Sequence, residues 1–342
     1  MRIAMAAFWA ACLVSAPLMA QDRITPDVCA VSAAELAVDA GAESAAAPSE
    51  VNGTGRFWQV TAPTGQVSYL WGSLHSSDPA ILALPEPVQT ALGSARVLVL
   101  ESDPRPKSRT EIAERALQAG VWIAAADGPW DKPWMDGSVR GWAIERIAAL
   151  TQTDDAFSAL TDAGLAYYLM SDPCEDFSAP SVPTQDLRFL LAAHEAGIPV
   201  AGLEPWDAFL TEMTQPERQD EARALALVNA AFLDPDQYHQ ARVAGFRLYL
   251  EGRIGQLRAA SGAFLAKQFG ADEAARLTGL ADRYLIGERN RKFVRALGKH
   301  LTDGGAMIVV GAFHLPGEGG LIALLQADGY QVSRVPLPGE AR

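Results

Sequence analysis

The spacing of apolar residues divides the chain into β-rich ends and a helical middle. Arg56–Ala62 and Gln66–Trp71 are β-rich runs separated by Pro63-Thr64-Gly65, which predicts a hairpin. The second run leads into Gly72-Ser73-Leu74-His75. Pro85–Leu92 reads as a short helix. Val97–Leu100 is a continuous apolar run ending at Glu101, the pattern of a parallel strand buried on both faces. From about Ser108 to Leu297, apolar residues recur at three- and four-residue spacing with charges between them. This predicts helices over Gly141–Leu150, Asp154–Leu169, Asp186–Ala196, Arg218–Phe232, Asp236–Phe269 and Asp272–Leu301. The long Asp236–Phe269 helix has either its own domain or a partner to pack on. One strand, Ile198–Leu203, interrupts the helices and ends at Glu204. The proline-rich stretch from Asp172 to Pro183 reads as a loop.

Gly304-Gly305 stops the last long helix, and Ala306–Val310 is a second buried strand running into Gly311-Ala312-Phe313-His314. A glycine-rich turn, a helix over Leu321–Ala327 and a strand over Gln331–Val335 follow. The fold class is therefore α/β: a mainly parallel central sheet, two Gly-x-x-His strand ends, and a large helical insertion at about 108–297 between them. There is no short-period repeat. The two Gly-x-x-His units, one near each end, allow two halves of related build.

The N-terminus changes the picture of where the protein works. Arg2 is the only charge before an apolar run over Ile3–Ala16, and small residues end at Ala20. Residues 1–20 read as a secretory signal peptide, since the run is shorter than the roughly 20 apolar residues of a spanning helix. An N-terminal anchor is the other reading. Residues 21–55 read as a flexible N-terminal segment with a weak helix, and 56–342 as the folded domain. A periplasmic or secreted, soluble protein with no stable membrane span follows. Cleavage leaves 27 basic against 41 acidic residues, a net charge of −14. With no basic block to offset it, such a chain repels nucleic acid, and no nucleic-acid partner is expected. Cys29 and Cys174 survive cleavage and are a candidate intrachain disulfide in an oxidising compartment.

Four apolar strands thus end in titratable residues, at His75, Glu101, Glu204 and His314. Ligands of open parallel α/β sheets bind beyond the carboxyl ends of the strands. If these strands are neighbours, the four side chains share one site. Gly72 and Gly311, three residues before each histidine, permit tight turns and close approach of another group. Two histidines and two carboxylates suit a divalent transition metal with an open position for water. Structural histidines that satisfy backbone groups at strand ends are the plainer alternative.

The run Tyr69-Leu70-Trp71-Gly72-Ser73-Leu74-His75, then Val97-Leu98-Val99-Leu100-Glu101, Gly202-Leu203-Glu204 and Glu288-Arg289-Asn290 resemble the TraB/GumN family. The most specific match is Val309-Val310-Gly311-Ala312-Phe313-His314-Leu315-Pro316-Gly317-Glu318-Gly319-Gly320-Leu321. The family includes the Tiki proteases and, more distantly, ChaN-like and erythromycin-esterase-like proteins. Order and spacing agree from about Arg56 to Val335. Ser73 departs from the family's usual Thr but keeps the hydroxyl. The resemblance implies a metal-dependent hydrolase fold, with Tiki relatives acting as metallopeptidases. It implies His75 and His314 as metal ligands and Glu101 as a third ligand or general base. Arg289 would stabilise negative charge developing on a carbonyl oxygen, and Glu204 would be a further ligand or would hold Arg289. Mn, Co or Zn is the expected cofactor, and a peptide or small molecule the expected substrate.

Other residues are assigned plainer roles. His194, His239 and His300 lie in helices and are read outside the site. Asp78 either orients His75 or caps the turn before Pro79, and Asp186 reads as a helix N-cap. Gly317-Glu318-Gly319-Gly320 reads as a turn, although its place before a helix would suit an anion. Trp130, Trp134 and Trp142 cluster with Pro129 and Pro133 and are read as packing, with a substrate groove as their other use. There is no Gly-x-Ser-x-Gly, and neither mature cysteine neighbours a histidine. Three functions remain: a metal-dependent hydrolase, most readily a peptidase; a non-catalytic binder of haem, metal or peptide; and a metal-free esterase.

Overall fold

The computed structural model describes residues 24–37, 50–104, 108–123, 130–177 and 182–341. Strands β1 (Phe57–Thr61), β2 (Val67–Ser73), β3 (Val97–Ser102), β4 (Val200–Glu204), β5 (Ala306–Gly311) and β6 (Gln331–Arg334) form one sheet in the order β4-β3-β5-β2-β1-β6. The expected hairpin is β1–β2, with Thr61 opposite Val67 and Gly65 in the left-handed region of the turn. β6 adds antiparallel to β1, whereas β4, β3, β5 and β2 are all parallel.

The continuous apolar runs explain why the parallel part is covered on both sides. Successive strand residues face opposite ways, so each run feeds two cores. Leu98, Leu100, Met307 and Val309 pack with Trp71, Val88, Phe189 and Ile254 on one face. Val97, Val99, Ile308 and Val310 pack with Phe293, Leu297, Leu301 and Leu325 on the other. The first face is covered by helices Glu86–Gly93, Gln185–Glu195 and Ile254–Phe269, and the second by Arg289–Asp303 and Leu321–Ala327. A third core lies wholly among helices, where Ile147, Leu165, Leu225 and Leu277 meet from Gly137–Thr151, Asp162–Leu169, Gln219–Ala231 and Ala271–Asp282.

Two long helices expected from periodicity are broken. The Asp236–Phe269 pattern splits into Tyr238–Leu250 and Ile254–Phe269, because Gly252 adopts φ +68° between them. Both pieces pack within this chain, where Phe246, Tyr249, Ile254 and Leu257 enter the sheet core. The Asp154–Leu169 pattern breaks before Thr161, whose hydroxyl caps Asp162–Leu169 by accepting from the Gly164 N–H. Apolar periodicity passes unchanged through both breaks, so it could not signal them.

The expectation of a flexible N-terminal segment differs from what Ile24–Ala37 shows. Pro26–Cys29 and Ala33–Ala37 are short helices, with Ile24 and Cys29 buried. Cys29 is bonded to Cys174, their Cα atoms 5.4 Å apart. His239 bridges the Val28 carbonyl and the Glu35 carboxylate, and Arg247 donates to the Glu35 carbonyl. The signal-peptide assignment falls on residues outside those described. No described helix is long and apolar enough to cross a membrane.

Candidate functional site

The strands ending at Glu204, Glu101, His314 and His75 are the four consecutive parallel strands β4, β3, β5 and β2. Their carboxyl ends bring the four side chains together, with Arg289 entering from the helix that covers one face of the sheet. Glu101 Oε1 accepts from the Gly311 N–H and lies 3.6 Å from His314 Nε2. Its Oε2 accepts from Arg289 Nη2 at 2.7 Å. Arg289 also donates through Nε and Nη2 to Glu204 Oε1, at 3.0 and 2.6 Å.

The two glycines have separate tasks. A methyl group on Gly72 would lie 2.6 Å from Leu315 Cδ1 and 3.0 Å from Ala312 Cα. The absent side chain lets the β2 and β5 ends pack together. A methyl group on Gly311 would instead meet Glu101 Oε1 at 3.2 Å, His75 Nε2 at 3.5 Å and His314 Cδ2 at 3.7 Å. That glycine keeps the space between the three titratable groups clear.

Both imidazoles are oriented from behind. Asn290 donates through Nδ2 to the carbonyls of His314 and Gly319, so its Oδ1 is the atom facing His314 Nδ1 at 2.6 Å. His314 Nδ1 therefore carries a proton, and Nε2 presents its lone pair towards Glu101. His75 Nδ1 donates to Asp186 Oδ2 at 2.7 Å, which leaves its Nε2 facing Gly311. Ser73 Oγ donates to the other oxygen of Asp186. The retained hydroxyl thus steadies the carboxylate that holds His75.

Asp78 takes the second of its two expected roles, and Asp186 departs from its own. Asp78 caps the Pro79–Leu82 turn by accepting from Ala80 N, while Asp186 sits inside its helix after the N-cap residue Thr184 and orients His75. Gln185 was not singled out from sequence. It is buried, and its Oε1 accepts from Trp71 Nε1, Leu74 N and the Tyr249 hydroxyl. Its Nε2 donates to the Ile81 carbonyl. One amide thereby pins the β2 end and the turn carrying His75.

Charge follows from these contacts. The Asp186 carboxylate raises His75 to about 9 in the metal-free protein, although the ring is 63% exposed and solvent screens that pull. Burial lowers His314 to about 4 against the attraction of Glu101. Burial opposes ionisation of Glu101, but His314, Arg289, His75 and the Gly311 N–H together hold it at about 2. Burial raises Glu204, whose Oε2 is buried without a hydrogen-bond partner among the described residues. For Arg289, burial is outweighed by Glu101 and Glu204, which raise it further.

The two histidines are therefore expected to titrate far apart in imidazole NMR spectra, with Asp186→Asn moving His75 back towards its ordinary 6.5. The linkage has opposite signs. His75 binds its proton more tightly when folded, so it contributes stability below about 6.5 that is lost as pH rises through about 9. His314 resists protonation when folded, so stability falls as pH drops from 6.5 towards about 4. Coincident titration of both rings near 6.5 would contradict the site as described.

His194, His239 and His300 lie outside the site; His239 binds the N-terminal segment instead. Gly317 and Gly320 form a turn whose N–H groups are satisfied by the carbonyls of Val51 and Gly317. The helix leading to Arg289 contains a π turn over Arg283–Glu288, a feature found often at functional sites. No sequence pattern signalled it.

The donor types fit a divalent transition ion. Each imidazole has Nδ1 occupied, with His75 Nε2 beside Gly311 and His314 Nε2 3.6 Å from Glu101 Oε1. Glu101 and Glu204 share the single guanidinium of Arg289, while Asp186 is paired with His75. As placed, no three His, Cys, Asp or Glu residues among those described are close enough to hold an ion.

Titratable side chains at the carboxyl edge of a parallel sheet, the histidines held by Asp186 and Asn290 and both glutamates by Arg289, define an α/β protein with a histidine–carboxylate site. The TraB/PrgY/gumN family model matches residues 56–334, and the chain belongs to that family. No curated protein and no solved structure matches it.

Proposed function

We propose that the protein is an exported hydrolase that activates water between His75, Glu101 and His314, with a divalent transition metal held by the two Nε2 atoms. The observation that carries this reading is the shared orientation of the imidazoles. Both have Nδ1 bonded to a fixed acceptor, Asp186 or Asn290, which leaves Nε2 to the site: His75 Nε2 beside Gly311, and His314 Nε2 3.6 Å from Glu101 Oε1. A bound Mn, Co or Zn ion would supply a lowered pKa for water and a polarised substrate carbonyl.

The chain's own groups would do the remaining work. Glu101, held ionised, is placed to serve as third ligand or to accept a proton from water. Arg289, fixed between Glu101 and Glu204, would stabilise negative charge on the carbonyl oxygen. Exposure of the His75 ring gives substrate an approach. Peptide is the proposed substrate class, by resemblance to Tiki-like metallopeptidases. Export is supported by the apolar N-terminal run and by the Cys29–Cys174 bond, which an oxidising compartment preserves.

One contact favours a second reading. Arg289 Nη1 lies 3.4 Å from His314 Nε2, where it faces the lone pair a metal would take, an arrangement suited to a metal-free site. Elemental analysis separates the two. The mature protein is expected to hold about one transition ion per chain, and the His75→Ala, His314→Ala double variant none. Failure of the wild type to take up Mn, Co or Zn on reconstitution would overturn the metal-dependent reading and leave a non-catalytic binder or a metal-free esterase.

A further inference from the structure

We propose that a second cleft, lined by Trp130, Pro133, Trp134, Asp162, Gln219 and Arg223, binds a neutral saccharide. The cleft has a volume of about 490 Å³ and contains none of the strand-end residues of the site above. That volume lies within the range of small-ligand sites.

One wall is aromatic. Trp130 is 43% exposed, although its backbone is tied at both groups. Its N–H donates to the Ser158 carbonyl, and its own carbonyl accepts from buried Lys132. The indole is thus presented to solvent by an anchored segment. Trp134 beside it packs against the helical core and has the Arg223 guanidinium 5.7 Å from its ring centre. Leaving a large indole exposed forgoes the free energy of burying it, so an exposed indole on an anchored backbone is a surface ready for a flat apolar partner.

The rest of the lining is a row of planar polar groups already ordered by one another. Asp162 Oδ2 accepts from Arg223 Nε at 2.8 Å and from Gln219 Nε2 at 3.3 Å. Asp162 and Gln219 come from different helices, so the row is set by tertiary packing rather than by one flexible loop. With Gln219 Nε2 and Arg223 Nε engaged by Asp162, the Arg223 Nη groups and the Gln219 carbonyl are the donors and acceptor this lining has for a ligand.

Charge selects the ligand class. Asp162 is paired with Arg223, and Asp131 at the rim with Arg140. The pairs cancel, which leaves little to attract a strongly charged ligand, and the net negative chain repels anions. A pyranose matches what remains. Its axial C–H face stacks on an indole, and its equatorial hydroxyls donate and accept at once, as the amide, carboxylate and guanidinium require. Such binding does not depend on the hydrolase reading, because no residue is shared between the two sites.

The test uses the full mature chain. Tryptophan fluorescence and calorimetry would be followed on titration with neutral gluco-, manno-, galacto- and N-acetylglucosamine oligosaccharides. Saturable binding to at least one series is expected, weakened at least about tenfold by Trp130→Ala and unchanged by His75→Ala. Far-UV circular dichroism would check folding, and Gln219→Ala provides a second variant in which both indoles remain. No binding across the four series would overturn the proposal. So would binding that survives both variants, or tighter binding of an anionic oligosaccharide or a proline-rich peptide at the same tryptophans.

Discussion

Arg289→Met is expected to destabilise the protein by about 3–5 kcal/mol, the cost of leaving buried charge without its partner. Arg289 is the one cation hydrogen-bonded to both Glu101 and Glu204 among the described residues, and all three side chains are largely buried. Methionine fills comparable volume but supplies no donor. The two carboxylates would then face each other in a poorly solvated space, and one would have to take up a proton. Chemical denaturation of both proteins measures the loss. The Arg289→Met, Glu204→Gln double variant should recover part of it, because one of the stranded charges is gone. A loss below about 1 kcal/mol, the range of an exposed pair, would show that the cluster is not buried as described. Hydrolysis, once a substrate is found, should fail in the single variant for a second reason, since the group proposed to meet the carbonyl oxygen is missing.

Removal of the disulfide is the other large effect. Cys29 and Cys174 are 145 residues apart in sequence, so the bond restricts a long stretch of the unfolded chain. Replacing both by serine is expected to cost about 2–5 kcal/mol. Denaturant unfolding with and without a dithiol reductant would measure it. Wild type and double variant should differ under oxidising conditions and converge under reducing ones. Equal midpoints in both conditions would mean that the bond does not form in solution.

Much of the sheet was legible because its strands announce themselves twice. Val97–Leu100 and Ala306–Val310 are apolar without interruption, and each ends at a residue that could not be buried cheaply without a partner. The hairpin was legible from Pro63-Thr64-Gly65. Strand order was not, because β3 and β5 are neighbours separated by some two hundred residues of mostly helical chain. That order is what turns four isolated strand ends into one cluster.

The residues behind the site were less visible for the same reason. Asp78 and Asp186 both stand near the start of a helix, and local sequence gives each the same reading as a cap. The choice between them is made by a contact from Asp186 to His75 across 111 residues. Gln185 carries no motif, and Asn290 stands out only as the last residue of Glu288-Arg289-Asn290. Their importance lies in satisfying several buried backbone and ring groups at once, which is a property of the folded surroundings. The breaks at Gly252 and before Thr161 were missed because a helix that turns and resumes keeps its apolar period.

The π turn at Arg283–Glu288 makes the length of its segment part of the site's specification. A π turn accommodates a residue more than an α-helix would over the same rise. Deleting Gly287 would therefore let the segment close into an ordinary α-helix with its two flanks still in phase, Phe293 and Leu297 in the sheet core and Arg283 and Tyr284 against Glu221 and Phe209. An added residue has no such slack, and would turn Arg289 by about 100° away from Glu101 and Glu204. Relatives that keep this architecture should accept many substitutions in the segment, and the loss of one residue, yet not a gain, a constraint on indels rather than on side-chain identity.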